Sequence, residues 1–210
     1  MPDNKITSIE IQKDKSRINL YLDGKFSMGL PLEAIVEFNL SKGKLIDSST
    51  INSLKSYNDK SKVKQSAINY LSYRQRSVKE IRTHLLSKDF NSDLVEIVID
   101  DLVNSGYLDD RKFAEMYVNE KTRLNNLGSV RIKYELRQKG IDEDIIESSL
   151  DKAETDYDGL AEIVIKKYPK DKSKDRQTWF RKVAGFLQRK GYNYDSVKKI
   201  IDIIENGEID

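Results

Sequence analysis

The sequence predicts a mostly α fold: three tandem three-helix repeats forming an elongated curved array, with a small N-terminal antiparallel β-meander and short helices. Three observations predict it. A 51-residue step carries Leu85 to Leu136 to Leu187, Ile81 to Ile132 to Val183, Lys88 to Lys139 to Lys190, Phe90 to Ile141 to Tyr192, and Asp93 to Asp144 to Asp195. Upstream of each block, a 47-residue step carries Ala67 to Ala114 to Ala161, Tyr70 to Tyr117 to Val164, and Leu71 to Val118 to Ile165. The first sixty residues show a different, two-residue periodicity. A unit repeated at this length means small helical modules that bury their apolar faces against themselves and their neighbours.

Taken in order, Ile6, Ile9 and Ile11 open a strand-like stretch. Ile18, Leu20 and Leu22 then alternate with polar or amphipathic neighbours, as in a half-buried strand. Asp23-Gly24 is the signal for a two-residue hairpin turn, and Phe26, Met28 and Leu30 alternate again beyond it. Pro31 suits the first turn of a short helix over about 31–39, which Ser41-Lys42-Gly43-Lys44 breaks. A second helix is expected from about Ser49 to Tyr57. The polar stretch Asn58–Lys62 is either a linker or a helical continuation into the first repeat.

The expected domains are 1–60, 61–108, 109–155 and 156–210, the last three being the repeats. In the second repeat, Phe113, Ala114, Tyr117 and Val118 form an apolar stripe at helical spacing behind Asp110. The next helix starts at Ser129 and carries Ile132 and Leu136, with Gly140 as a left-handed C-terminal residue. The third starts at Asp142 and carries Ile145, Ile146 and Leu150. Gly191 matches Gly140 in the third repeat; in the first the match is Asp89, a poorer but tolerated left-handed residue. Ser77-Val78-Lys79-Glu80 reads as a capping box. The interval from Ala67, Ala114 or Ala161 to Ile81, Ile132 or Val183 grows by about one helical turn per repeat, so the modules differ in shape.

Composition narrows the function. Charged residues make up 34% and apolar residues 38%, with three prolines and ten glycines, which argues against wholesale disorder. Cysteine is absent, so no disulfide or thiolate chemistry is available. No apolar run reaches membrane-spanning length and the N-terminus has no apolar signal core, so a cytoplasmic protein is expected. The net charge of +2 is too small for DNA binding by bulk charge.

No catalytic, metal or cofactor site is expected. His84 is the single histidine and reads as a partly exposed helix residue. Asp109-Asp110 and Asp142-Glu143-Asp144 read as helix N-terminal acids rather than paired carboxylates for proton transfer. Gly43-Lys44 lacks the earlier glycine of a phosphate loop. Tyr70, Tyr117 and Tyr134 are expected in the core, and Trp179 at a module junction. The basic residues are more suggestive. Lys79, Arg82 and Lys88 mark the second helix of the first repeat; Arg131, Lys133, Arg137 and Lys139 that of the second; Arg181, Lys182, Arg189 and Lys190 that of the third. They are either a basic ridge that tracks phosphates or an acidic groove, or cations favoured at helix C-termini. Arg74 and Arg76 would extend such a ridge.

Three stretches resemble the RecX regulatory family. They are Ala67-Ile68-Asn69-Tyr70-Leu71 through Arg74-Gln75-Arg76-Ser77 to Glu80-Ile81 and Leu85; Gly106-Tyr107-Leu108-Asp109-Asp110-Arg111-Lys112-Phe113-Ala114; and Gly128-Ser129-Val130-Arg131-Ile132 through Glu135-Leu136-Arg137-Gln138-Lys139-Gly140-Ile141. The resemblance covers about 63–205. It implies a non-enzymatic modulator of the RecA recombinase that binds in the groove of the RecA–single-stranded-DNA filament, bridges subunits and limits filament growth. Strand exchange, ATP hydrolysis and co-protease activity would fall, within DNA repair, recombination and the SOS response. The implied contacts are a basic face on the residues just named, with Arg111 and Lys112, touching RecA and in some members DNA; a repeat array with capped ends is expected to be a monomer. Two other readings are a stand-alone DNA-binding helical module, which predicts steeply salt-dependent binding without RecA, and an apolar scaffold for unrelated partners.

Overall fold

The computed structural model describes residues 4–169 and 175–207. The chain falls into two compact units: one runs to Arg74 and adds Ile81–Asn104, the other comprises Gln75–Glu80 and Ser105 onward.

In the first unit, β1 (Asn4–Ile11), β2 (Arg17–Leu22), β3 (Lys25–Pro31) and β4 (Leu45–Ile46) form an antiparallel sheet in the order β3-β2-β1-β4. The β2–β3 hairpin turns at Asp23 (φ 50°) and Gly24 (φ 77°), both left-handed, as a tight turn matched to strand twist requires. Ile6, Ile18, Leu20, Leu22, Met28 and Leu30 face one core, which the short α1 (Ala34–Glu37) joins through Ala34. Phe26 departs from the expected alternation. The register shifts between Leu20 and Tyr21, so Phe26 pairs with Tyr21, meets its ring edge-on at 5.8 Å and stays exposed. Pro31 closes β3 instead of opening a helix, because its neighbours still pair with β2. The strand β4 was not anticipated; two residues carry too little pattern.

The helix expected to end near Tyr57 is the first part of α2 (Ser48–Leu71), 24 residues long. Asp47 caps it, accepting from the Thr50 N–H at 2.8 Å. The polar stretch is helical because its side chains find partners. Asn58 is buried and its Oδ1 accepts from Arg17 Nη2 at 2.7 Å, and Lys60 pairs with Asp101 at 2.6 Å. Val63 and Ala67 of α2 are fully buried, and α2 packs on α4 (Ser92–Asn104), which contributes Val95, Val98, Ile99 and Leu102 to the interior. Between them in sequence lies α3 (Val78–Leu86), with Ile81 and Leu85 inward. Here His84 is half-exposed, as expected, and its ring stacks on Tyr70 at 3.9 Å.

The second unit holds the other two repeats: α5 (Asp110–Arg123), α6 (Ser129–Gln138) and α7 (Glu143–Asp151), then α8 (Tyr157–Lys167), α9 (Arg176–Lys190) and α10 (Tyr194–Asn206). The in-phase apolar positions are its core. Ala114, Ile132 and Leu136 center one cluster, Ala161, Val183 and Leu187 the other. The changing interval also has a structural reason. Helix α5 runs on well past Ala114, whereas α9 starts a turn further ahead of Val183 than α6 does of Ile132. That added turn carries Trp179, which corrects the junction expected for it. The ring is buried inside the third repeat and its Nε1 donates to the Tyr168 carbonyl at 2.9 Å. Tyr134 is also corrected. It is 62% exposed, because Ile132 and Leu136 set the inward face of α6 and Tyr134 lies between them in sequence, on the opposite side.

Candidate interaction face of the second helices

The N-terminal end of α6 is completed by the C-terminal end of α9, and side chains at the first turn of α3 satisfy the C-terminal carbonyls of α6. At α6, the Gly128 N–H donates to the Lys190 carbonyl at 2.9 Å and the Val130 N–H to the Gly191 carbonyl at 3.1 Å. At the first turn of α3, Ser77 Oγ donates to the Lys139 carbonyl at 2.8 Å and Lys79 Nζ to the Gln138 carbonyl at 3.1 Å. A helix end leaves N–H or C=O groups without intrahelical partners. Abutting a C-terminus against an N-terminus pairs these groups and aligns the helix dipoles favourably. The glycines make the approach possible. A Cβ on Gly191 would lie 2.4 Å from Arg131 Cβ and 2.6 Å from its backbone nitrogen, and one on Gly128 would lie 2.3 Å from the Gly191 carbonyl. Gly140 and Gly191 also have left-handed φ values of 77° and 92°.

This geometry sorts the basic residues. Lys139 and Lys190, one position repeated, both serve junctions. Lys139 Nζ pairs with Glu80 at 3.0 Å and lies 5.3 Å from the center of the Tyr117 ring; Lys190 Nζ donates to the Asn125 carbonyl at 3.0 Å. Lys88 is exposed. Glu80 also closes the expected capping box: its Oε2 accepts from the Ser77 N–H at 3.2 Å and its own N–H donates to Ser77 Oγ at 3.2 Å. Arg82 makes a two-pronged contact with Glu96 at 2.7 and 2.8 Å. On α6, Arg137 holds Glu143 at 2.8 Å through two nitrogens, Lys133 bonds the same carboxylate and Glu147 at 3.1 Å, and Arg131 pairs with Glu135 at 3.1 Å. Arg137 first, then Lys133, holds the Glu143 carboxyl down at about 2. Arg74, Arg111, Lys112, Arg181, Lys182 and Arg189 are exposed, Arg76 is half-buried, and Lys112 reaches Asp109 at 3.7 Å. The sequence-predicted set is thus not one patch of equivalent side chains.

The outward side of α6 presents Val130, Arg131, Tyr134 and Arg137. An exposed tyrosine between two arginines, with an exposed valine one turn before it, is the composition of a protein-binding center. Neither Val130 nor Tyr134 was singled out from sequence as a contact. Their signal was available: both sit out of phase with the inward Ile132 and Leu136.

Comparison with known proteins gives the chain its family. Four family models match in order: the regulatory protein RecX N-terminal domain at 4–47, and the RecX first, second and third three-helix domains at 64–102, 109–150 and 154–201. The chain is 33% identical to the regulatory protein RecX of Clostridium tetani over 95% of this chain and 94% of that one. It is 35% identical to that of Clostridium perfringens strain SM101 over 97% and 98%. The chain belongs to the RecX family. A crystal structure of a regulatory protein RecX superposes with a TM-score of 0.78 at 28% identity, covering 95% of this chain and 99% of that one. RecX from Lactobacillus salivarius matches with a TM-score of 0.63 at 31% identity, over 70% and 97%.

The RecX signature stretches acquire physical roles here. In Gly106-Tyr107-Leu108-Asp109-Asp110, Gly106 takes a left-handed φ of 74° and Leu108 is buried. Asp109 Oδ1 caps α5, accepting from the Arg111 and Lys112 N–H groups at 3.0 Å each. Asp110 Oδ1 reaches the Val78 N–H at 2.9 Å and so caps α3 rather than its own helix. The Lys-Gly-Ile stretch is the C-terminal half of a junction. Among the described residues no group of three His, Asp or Glu side chains is placed to hold a metal, and no helix is long and apolar enough to cross a membrane.

Proposed function

We propose that this RecX-family chain regulates the RecA recombinase by binding the groove of the RecA–single-stranded-DNA filament, bridging neighbouring subunits and limiting filament growth. It acts by binding, not catalysis, in the cytoplasm as a monomer, and lowers RecA-driven strand exchange, ATP hydrolysis and co-protease activity in DNA repair and recombination. The observation that carries the reading is the ordered match of four RecX domains across almost the whole chain, with relatives named regulatory protein RecX. The outward side of α6 supports it, since Tyr134 flanked by Arg131 and Arg137 suits a protein partner better than a bare phosphate chain. Among the candidate cations, those at the junctions orient the second helices, and those left in solvent are contacts.

Strand exchange by RecA between circular single-stranded and linear duplex DNA tests this. The chain at micromolar concentration should suppress joint-molecule formation. Tyr134→Ala should raise the concentration needed by about tenfold, the effect of losing one interface anchor. Unchanged strand exchange with the parent chain contradicts the reading.

A further inference from the structure

A cavity of about 350 Å³ opens between the second and third repeats, inside the second unit. Thr122 and Arg123 at the end of α5, Asn126 in the loop beyond it, Glu154 and Thr155 in the link between α7 and α8, and Tyr192 after α9 line it. Its size suits a small molecule. The walls are tied down by the chain itself. Asn126 takes a left-handed φ of 51°, and the loop is fastened on both sides of it: Lys190 Nζ donates to the Asn125 carbonyl and the Leu127 N–H to the Lys121 carbonyl, each at 3.0 Å. Asp156, also in the lining, caps α8 by accepting from the Gly159 N–H at 2.9 Å.

The polar groups of the cavity are unspent. Among the described residues, the side chains of Thr122, Arg123, Asn126, Glu154 and Thr155 make no hydrogen bond or ion pair. Tyr192 is the sharper case. It is 6% exposed, yet its hydroxyl has no hydrogen-bond partner. A buried polar group in that state is destabilising until something bonds it. Burial pushes the hydroxyl up to about 12, so it keeps a proton to donate.

Arg123 and Glu154 bring opposite charges to one cavity and do not pair. A ligand charged at both ends satisfies both walls: a carboxylate takes the Arg123 guanidinium and the Tyr192 hydroxyl, and an ammonium takes Glu154. Thr122, Asn126 and Thr155 add neutral donors and acceptors. A phosphate would face the carboxylates of Glu154 and Asp156, and an apolar ligand would strand the polar walls.

We propose that this cavity binds a small zwitterion, an amino acid or dipeptide, with Arg123 and Tyr192 holding its carboxylate and Glu154 its ammonium. The assignment goes beyond the recombinase reading and does not require it.

The test is isothermal titration calorimetry of the full chain with L-glutamine, glycyl-L-glutamine, N-acetyl-L-glutamine and L-glutaminamide. One of the two zwitterions should bind, and the tighter of them tells amino acid from dipeptide. The N-acetyl probe lacks the ammonium and glutaminamide lacks the carboxylate. Each should bind at least about tenfold more weakly, the effect of losing one charge-assisted hydrogen bond. Arg123→Gln should weaken the zwitterion by the same factor and leave glutaminamide unchanged. Glu154→Gln should weaken it too and leave N-acetylglutamine unchanged. Tyr192→Phe should bind more weakly while the free chain melts no lower than the parent, since it loses only an unpartnered hydroxyl. The proposal is overturned if neither zwitterion binds at millimolar concentration. It is also overturned if N-acetylglutamine binds as tightly as the zwitterions, or if Arg123→Gln or Glu154→Gln keeps the parent's affinity. Zwitterion binding that weakens with each altered wall, in chains that melt as the parent does, supports it.

Discussion

A single position shows how the neighbourhood selects the residue. Asp89, Gly140 and Gly191 follow the second helices of the three repeats, and all have left-handed φ, at 60°, 77° and 92°. At Gly191 the backbone of Arg131 fills the space a Cβ would need, and at Gly140 the flexible Lys79 side chain does. Gly191→Ala should therefore destabilise the chain by about 2 kcal/mol or more, combining left-handed strain with a clash against backbone. Gly140→Ala should cost less, since Lys79 can move. Asp89→Gly should change stability by less than about 1 kcal/mol, because Asp already tolerates this conformation. Urea midpoints at a common slope measure all three; equal losses at Gly140 and Gly191 would contradict the junction geometry. The left-handed conformation was legible at each position from the Lys-Gly recurrence. The head-to-tail junction was not, because it joins residues about sixty positions apart and its one local trace, Gly128, looks like an ordinary turn residue.

At the scale of elements, two contacts set how helices are held. Glu143, at the start of α7, is clamped by Arg137 and Lys133 of α6, which keeps its carboxyl near 2. A carboxyl whose folded value lies below its unfolded one stabilises above the usual carboxylate range, and that contribution is lost as pH falls through about 2. The parent should lose urea resistance between about pH 5 and 2 more steeply than Glu143→Gln. The difference between the two chains is the readout, because Asp47 at the cap of α2 is also held at about 2. Parallel curves would mean that the clamp does not form. In α2, Asn58→Ala removes the nearer of two acceptors of Arg17 Nη2, leaving the Gly29 carbonyl, and should destabilise the chain by about 1–3 kcal/mol. That contact settles which of the two readings of Asn58–Lys62 holds. The stretch reads from sequence as either a linker or a continuing helix, and Arg17 and Asp101, far off in sequence, supply the partners that make it helical. The apolar stripes met no such difficulty: Leu85, Leu136 and Leu187 are fully buried because helical periodicity records burial directly.

For the whole molecule, repetition organised the core and left the surface free to diverge. Inward positions kept their chemistry through three repeats, whereas Thr83, Tyr134 and Gly185 occupy one outward position with three different characters. This is why the repeats were legible and the outward side of α6 was not. A basic residue looks the same in sequence whether it grips Glu143, closes a junction or meets solvent. In the proposed function, the outward side of α6, with Tyr134 between Arg131 and Arg137, meets the protein of a RecA filament on single-stranded DNA. Regulation of that filament is the proposed function. The most direct measurement is the single-stranded-DNA-dependent ATPase of RecA with and without this chain. Inhibition at ratios well below one chain per RecA is predicted, since blocking growth at a few positions stops the addition of many subunits. An ATPase rate unchanged up to equimolar chain would contradict it.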